Sequence, residues 1–133
     1  MSATITYRGP YFDGRARTSI ARMCTTIEKS VADEIHRRVQ ILGQSMFRYR
    51  EKTHDVPGKW RSHIHVVSRD GHQAVTDSGI VYGPWLEGTG SRNRTTRFKG
   101  YAMWRRTFAN MDRSGAMEVA KPIVLRTMPE LNA

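Results

Sequence analysis

The sequence predicts an α+β domain, on three observations. Between about Arg15 and Phe47 apolar residues recur at helical spacing. Residues 59–77 alternate about a turn signal as a hairpin does. The last third returns to helical spacing. The 133 residues are expected to form one domain, and a hydrophobic content of 38% suffices for a modest core.

The stretch ATITYR, residues 3–8, alternates and is β-branched, which predicts a short N-terminal strand. Gly9-Pro10 and Asp13-Gly14 close it as turns. Ile20, Cys24, Ile27, Val31, Ile35, Val39, Leu42 and Met46 then follow in steps of three and four, one face of a helix. Roughly 32 residues at 1.5 Å each make a helix about 48 Å long, more stripe than one small core covers. Two readings follow: part of the stripe meets a neighbouring subunit, or the element is an ordinary core helix frayed at both ends. Cys24, on the stripe, is expected to be a small buried hydrophobe. Arg22, Lys29, Arg37 and Arg38 mingle with Glu28, Asp33 and Glu34, a mixed solvated face rather than a nucleic-acid stripe.

Residues 48–58 form a polar connection. In KWRSHIHVV, residues 59–67, Trp60, Ile64 and Val66 fall on one side of an alternating pattern, and Lys59, Arg61, His63 and His65 on the other. That predicts a half-buried strand. Asp70-Gly71 is a hairpin turn, residues 73–77 are the returning strand, and Ile80-Val81-Tyr82 extends the sheet. Pro84 suits the first turn of a short helix ending at Glu87. A basic loop at 88–100 follows. Tyr101, Trp104, Phe108 and Met111, then Val119, Ile123 and Met128, make a C-terminal helix that Gly115 and Pro122 weaken or kink, giving two pieces.

A net charge of +10 predicts an acidic partner surface: nucleic acid, an anionic membrane or an acidic protein. One cysteine excludes an internal disulfide framework and fits a reducing compartment. With no apolar signal core and no apolar run of spanning length, the chain is expected to be soluble, without a membrane partner. Asn93-Arg94-Thr95 spells a glycosylation acceptor, read as coincidence without a secretory signal.

The chemistry of catalysis is sparse. His63 and His65 share a predicted strand face, with His54 and His72 near in sequence, and two imidazoles on one face can share a metal. No C-x-x-C, H-E-x-x-H or carboxylate cluster supports them, so solvated histidines are the plainer reading and a metal-dependent hydrolase a distant alternative. No nucleophile, base and orienter fall at informative spacing. No enzyme activity, cofactor or metal is expected.

The segment VYGPWLEGTGSRNRTTRFKGY, residues 81–101, holds the densest signal. Arg92, Arg94, Arg97 and Lys99 lie within eight residues, interleaved with Phe98 and Tyr101. Basic plus aromatic is the composition of a nucleic-acid surface and equally of an interface arm. A solvated loop without a role is the third reading. Glu87, after Trp85-Leu86, would repel phosphate but could pair with an arginine of a neighbouring subunit.

Tyr82-Gly83-Pro84-Trp85-Leu86-Glu87-Gly88-Thr89-Gly90-Ser91-Arg92-Asn93, followed by Thr96-Arg97-Phe98-Lys99-Gly100-Tyr101, resembles the signature of the small head–tail joining proteins of long-tailed bacteriophages. These are the tail-completion, neck or minor tail proteins. The pattern is an aromatic, a short helix reaching a Glu, then Gly-Thr, after a hairpin and before a final helix. Pro57-Gly58-Lys59-Trp60-Arg61-Ser62-His63-Ile64 is similar to the run that opens the family's hairpin. Ser91-Arg92-Asn93 and Arg97 to Tyr101 most resemble versions from actinobacterial phages.

The resemblance implies a structural virion protein, assembled in the host cytoplasm, that forms a homo-oligomeric, commonly six-fold ring in the neck. Its partners would be other copies of itself, the head connector or stopper, and the tail terminator or tail tube, with DNA passing through the channel. It places Tyr82, Trp85, Glu87, Arg92, Asn93, Arg94, Arg97, Phe98, Lys99 and Tyr101 at subunit or partner contacts. Within the neck class, tail terminator and connector stopper are close alternatives. Outside it, the alternative is a small basic nucleic-acid-binding protein.

Overall fold

A computed structural model of the chain describes residues 5–46 and 60–132. The predicted connection at 48–58, with His54, and Lys59 fall outside the described residues. The elements are α1 (Arg15–Met46), β1 (His65–Arg69), β2 (His72–Thr76), α2 (Gly83–Glu87), α3 (Arg92–Thr95), α4 (Met103–Asn110), a π turn (Met111–Gly115) and α5 (Ala116–Asn132). The fold is α+β: a long N-terminal helix, an antiparallel hairpin, short helices, and a long kinked C-terminal helix packed on the first.

Asp13 opens α1 by accepting the Arg15 backbone N–H at 3.0 Å, which satisfies one of the helix's orphan donors. The helix serves two neighbours on different sides. Near its start the buried residues are Ala16 and Ser19; farther along they are Ala32, Val39 and Gly43. At 100° per residue, positions 16 and 39 lie about 140° apart around the helix. The C-terminal helix packs along α1, and the core cluster buries Val39. Val39, Trp60, Ile64, Leu86 and Met103 form that core, with Ile35, Leu42 and Met46 packed against it. The change of face overturns the expectation for Cys24, which is exposed. It lies about 140° around the helix from Ser19, so it turns away from the outer contact.

Small residues at 16, 19, 32 and 43 leave little side chain between α1 and what packs on it. The two long helices run antiparallel. Arg38 reaches Asn110 and Glu118, and Arg106 Nη1 approaches Met46 Sδ at 3.5 Å, so the end of α1 sits beside the start of the C-terminal helix.

The break in that helix is the π turn. Met111 and Gly115 are buried there, and a Cβ on Gly115 would stand 2.8 Å from the Arg38 guanidinium. The sequence places the weakness correctly at Gly115. At Pro122 the helix continues, as it does at Pro129.

Two strand expectations are corrected. Residues 5–8, the described part of the predicted N-terminal strand, form no strand. Residues 60–62 are helical, and β1 begins only at His65. Trp60 and Ile64 are both buried because they stand four apart, the helical repeat, not because they alternate along a strand. Side chains of α1 hold this turn: Gln40 Nε2 donates to Arg61 O at 2.8 Å, and a His36 ring nitrogen lies 3.0 Å from Ile64 O. Asp70-Gly71 makes the predicted hairpin turn, with φ of 51° and 80°, the paired left-handed residues of a type I′ turn. It sets the register His65↔Thr76 to Arg69↔His72. Ile80-Val81-Tyr82 form a turn into α2 and add nothing to the two-stranded sheet.

Candidate functional site

The segment from Gly83 to Ala102 folds onto itself. Pro84 O accepts the N–H groups of Gly88, Thr89 and Gly90 at 3.0, 2.8 and 3.0 Å, which ends α2 and turns the chain back. The Tyr101 N–H donates to Leu86 O at 2.7 Å and closes the far end. Where the ends meet, Gly88 and Gly100 face each other. A Cβ on Gly100 would stand 2.3 Å from the N and Cα of Gly88, and one on Gly88 2.1 Å from Lys99 O. Only two glycines allow so close a passage of main chains.

Asn93 pins the interior of the loop. It is buried, and its Nδ2 donates to Trp85 O at 3.0 Å and Phe98 O at 3.1 Å. Lys99 Nζ donates back to Asn93 O at 2.8 Å. The Phe98 ring lies between Trp85 and Tyr101, with centroids 4.5 and 4.9 Å away. Tyr82, Trp85, Tyr101 and Trp104 pack against the hydrophobic core. The loop is thus a compact platform, closed by its own bonds and seated on the core.

Glu87 is buried at the base of this platform. Its Oε2 accepts the Trp104 N–H and its Oε1 the Arg105 N–H, each at 3.0 Å, with Arg105 Nε 3.4 Å from Oε1. Those N–H groups belong to the first turn of α4, which has no cap of its own: the residue before it, Ala102, sits at φ 53° without a capping side chain. A carboxylate at a helix N-terminus is favoured by the orphan donors and by the helix dipole. Both its oxygens hold main chain of its own copy, a capping role that the sequence reading did not anticipate.

The ten candidate residues therefore divide. Tyr82, Trp85, Phe98 and Tyr101 build the apolar floor, and Glu87, Asn93 and Lys99 bind main chain within the segment. Arg92, Arg94 and Arg97 point outward, exposed, and their guanidinium groups bond to no acid among the described residues. Three cations are held on a compact turn, and no acid among the described residues neutralises them.

Beside the platform lies an open cavity of about 250 Å³, lined by Asp77, Ile80, Pro84, Glu87, Thr89 and Trp104. Asp77 Oδ2 accepts the Trp60 indole N–H at 3.1 Å, and Oδ1 the Gly79 N–H at 3.1 Å. Both donors are neutral, and no cation among the described residues pairs with Asp77. Sequence reasoning passed over Asp77 and Trp104. The only signal for Asp77 was its place before Ser78-Gly79, which reads as a turn residue.

The described histidines do not assemble. His63 lies in the turn before β1, and His65 is 2.6 Å from Ser78 Oγ. Among the described residues no three His, Cys, Asp or Glu come together as a metal site. Among the same residues no helix is long and apolar enough to cross a membrane. Comparison with known proteins finds no match to this chain, whether among protein-family models, curated proteins or solved structures.

Proposed function

We propose that the protein is a structural subunit of the neck of a long-tailed phage, assembling as a ring that joins the head connector to the tail tube. The observation that carries this reading is the apolar surface left uncovered at the outer end of the long helices. Ile20, Leu125 and Met128 are exposed there, and Ile5, Tyr7, Tyr11 and Phe12 add to them just before α1. Such a surface on so small a chain suits a neighbouring subunit. The likeness of residues 82–101 to the head–tail joining signature supplies the biological setting.

The measurement is the mass of the purified protein by light scattering, alone and mixed with connector or tail-tube components, at low and high salt. A ring-sized particle is expected. A strict monomer under all these conditions overturns the reading.

A second reading, a small nucleic-acid-binding protein, is favoured by the uncompensated Arg92, Arg94 and Arg97. It requires binding to duplex DNA that falls steeply with salt and is lost when the three are neutralised. A neck ring needs only to let DNA pass.

A further inference from the structure

We infer that the cavity beside the platform is a socket for a guanidinium group, and that its occupant is an arginine of the 92–97 turn of a second copy of this chain. The inference rests on the ring reading and names one of its contacts. Three features carry it. Asp77 is a half-buried carboxylate whose partners are the Trp60 and Gly79 N–H groups, so its charge is hydrogen-bonded but neutralised by no cation among the described residues. That is unusual in a chain with 22 Lys and Arg against 12 Asp and Glu. Glu87 supplies a second carboxylate to the wall, and Arg105, its side chain 65% exposed, compensates it from outside. Trp104 supplies an aromatic wall, the surface over which a planar cation is favoured.

The donor is on the same chain. Arg92, Arg94 and Arg97 stand out from a turn whose backbone is fixed by Asn93 and Lys99, so little backbone freedom is lost when they dock. Within one copy they do not enter the cavity. An uncompensated anion in a recess and uncompensated cations on a rigid projection complement each other between copies. A guanidinium can make a two-pronged contact with Asp77 that a lysine ammonium cannot.

The test is a double-mutant cycle on self-association, followed by sedimentation. Asp77→Asn keeps an oxygen for the Trp60 indole and removes the charge. The triple change Arg92→Gln, Arg94→Gln, Arg97→Gln leaves the platform bonds in place. Each is expected to weaken association roughly tenfold or more, and the two combined no more than the larger single loss, because both remove one contact. The Trp60 indole N–H resonance reports the socket directly. It should move with protein concentration in the wild type and stay still in Asp77→Asn.

Association unchanged in Asp77→Asn, losses that simply add, or a wild type that never self-associates would each overturn the socket. Rings that form regardless of Asp77→Asn leave the neck reading standing and remove only the socket. A dimer that depends on Asp77 but never closes into a ring keeps the socket and removes the neck reading.

Discussion

Replacing Glu87 with Ala separates a structural carboxylate from an interface carboxylate. The substitution removes the acceptor of two backbone N–H groups, those of Trp104 and Arg105, each at 3.0 Å. No side chain caps α4 in its place. Losing a helix cap costs about 1 kcal/mol, and a buried donor left without its charged partner adds about 1–2 kcal/mol. The expected loss is about 2–3 kcal/mol. With an unfolding entropy of about 2.1 cal/mol/K per residue, that lowers Tm by about 7–11 °C. Glu87→Gln keeps one acceptor oxygen but turns an amide NH2 toward the other donor, so about 1–2 kcal/mol is expected. Arg105→Ala removes only a mostly exposed ion pair and should cost about 1 kcal/mol or less. Urea unfolding of the four proteins measures all three, with an unchanged slope showing that the unfolded states are comparable. Glu87→Ala within about 0.5 kcal/mol of wild type would refute the capping role. If it also abolished self-association, the carboxylate would belong to the interface after all.

Two further outcomes follow from the same geometry. Gly100→Ala combines a left-handed φ of 87° with a Cβ 2.3 Å from the Gly88 main chain, and backbone cannot yield as a flexible side chain can. A loss of about 3 kcal/mol or more is expected, read from the urea midpoint with tryptophan emission reporting the opened platform; under about 1 kcal/mol would mean the loop closes some other way. Glu34 has its pKa lowered from 4.5 to about 2, first by the hydrogen bond from Arg37 and also by Arg38. Its folded pKa lies below its unfolded value, so its stabilisation is full above about pH 5 and fades as pH falls toward 2. Glu34→Gln should flatten stability across that window by about 1 kcal/mol, and an unaltered acid profile would show that these ion pairs contribute nothing.

Much of the architecture was legible in local chemistry. Steps of three and four marked α1, Asp70-Gly71 marked the hairpin turn, and Pro84 marked α2. Gly115 marked the break in the C-terminal helix. These signals are read over a few neighbouring residues and do not depend on what packs against them. The candidate site was legible only as a composition. Arg92, Arg94 and Arg97 proved outward-facing, as a basic loop suggests, but Asn93 and Lys99 look the same in sequence and turn inward to bind main chain.

What the sequence by itself determined was where the long helical segments lie, where the hairpin reverses, and that the chain carries an excess of positive charge. What only the tertiary structure decided was direction. Cys24 faces solvent because α1 exchanges one buried face for another along its length. Trp60 and Ile64 share the core through a helical turn, because Gln40 and His36 of α1 engage that turn's carbonyls. Glu87 caps α4 because the crossing of Gly88 and Gly100 brings the two segments together. Among the described residues, the Asp77 carboxylate is bonded by neutral N–H groups of Trp60 and Gly79 rather than by a cation. A side chain's partner lies far away in sequence, and the physics that selects it, burial and the satisfaction of every buried donor and acceptor, exists only once the chain has closed on itself.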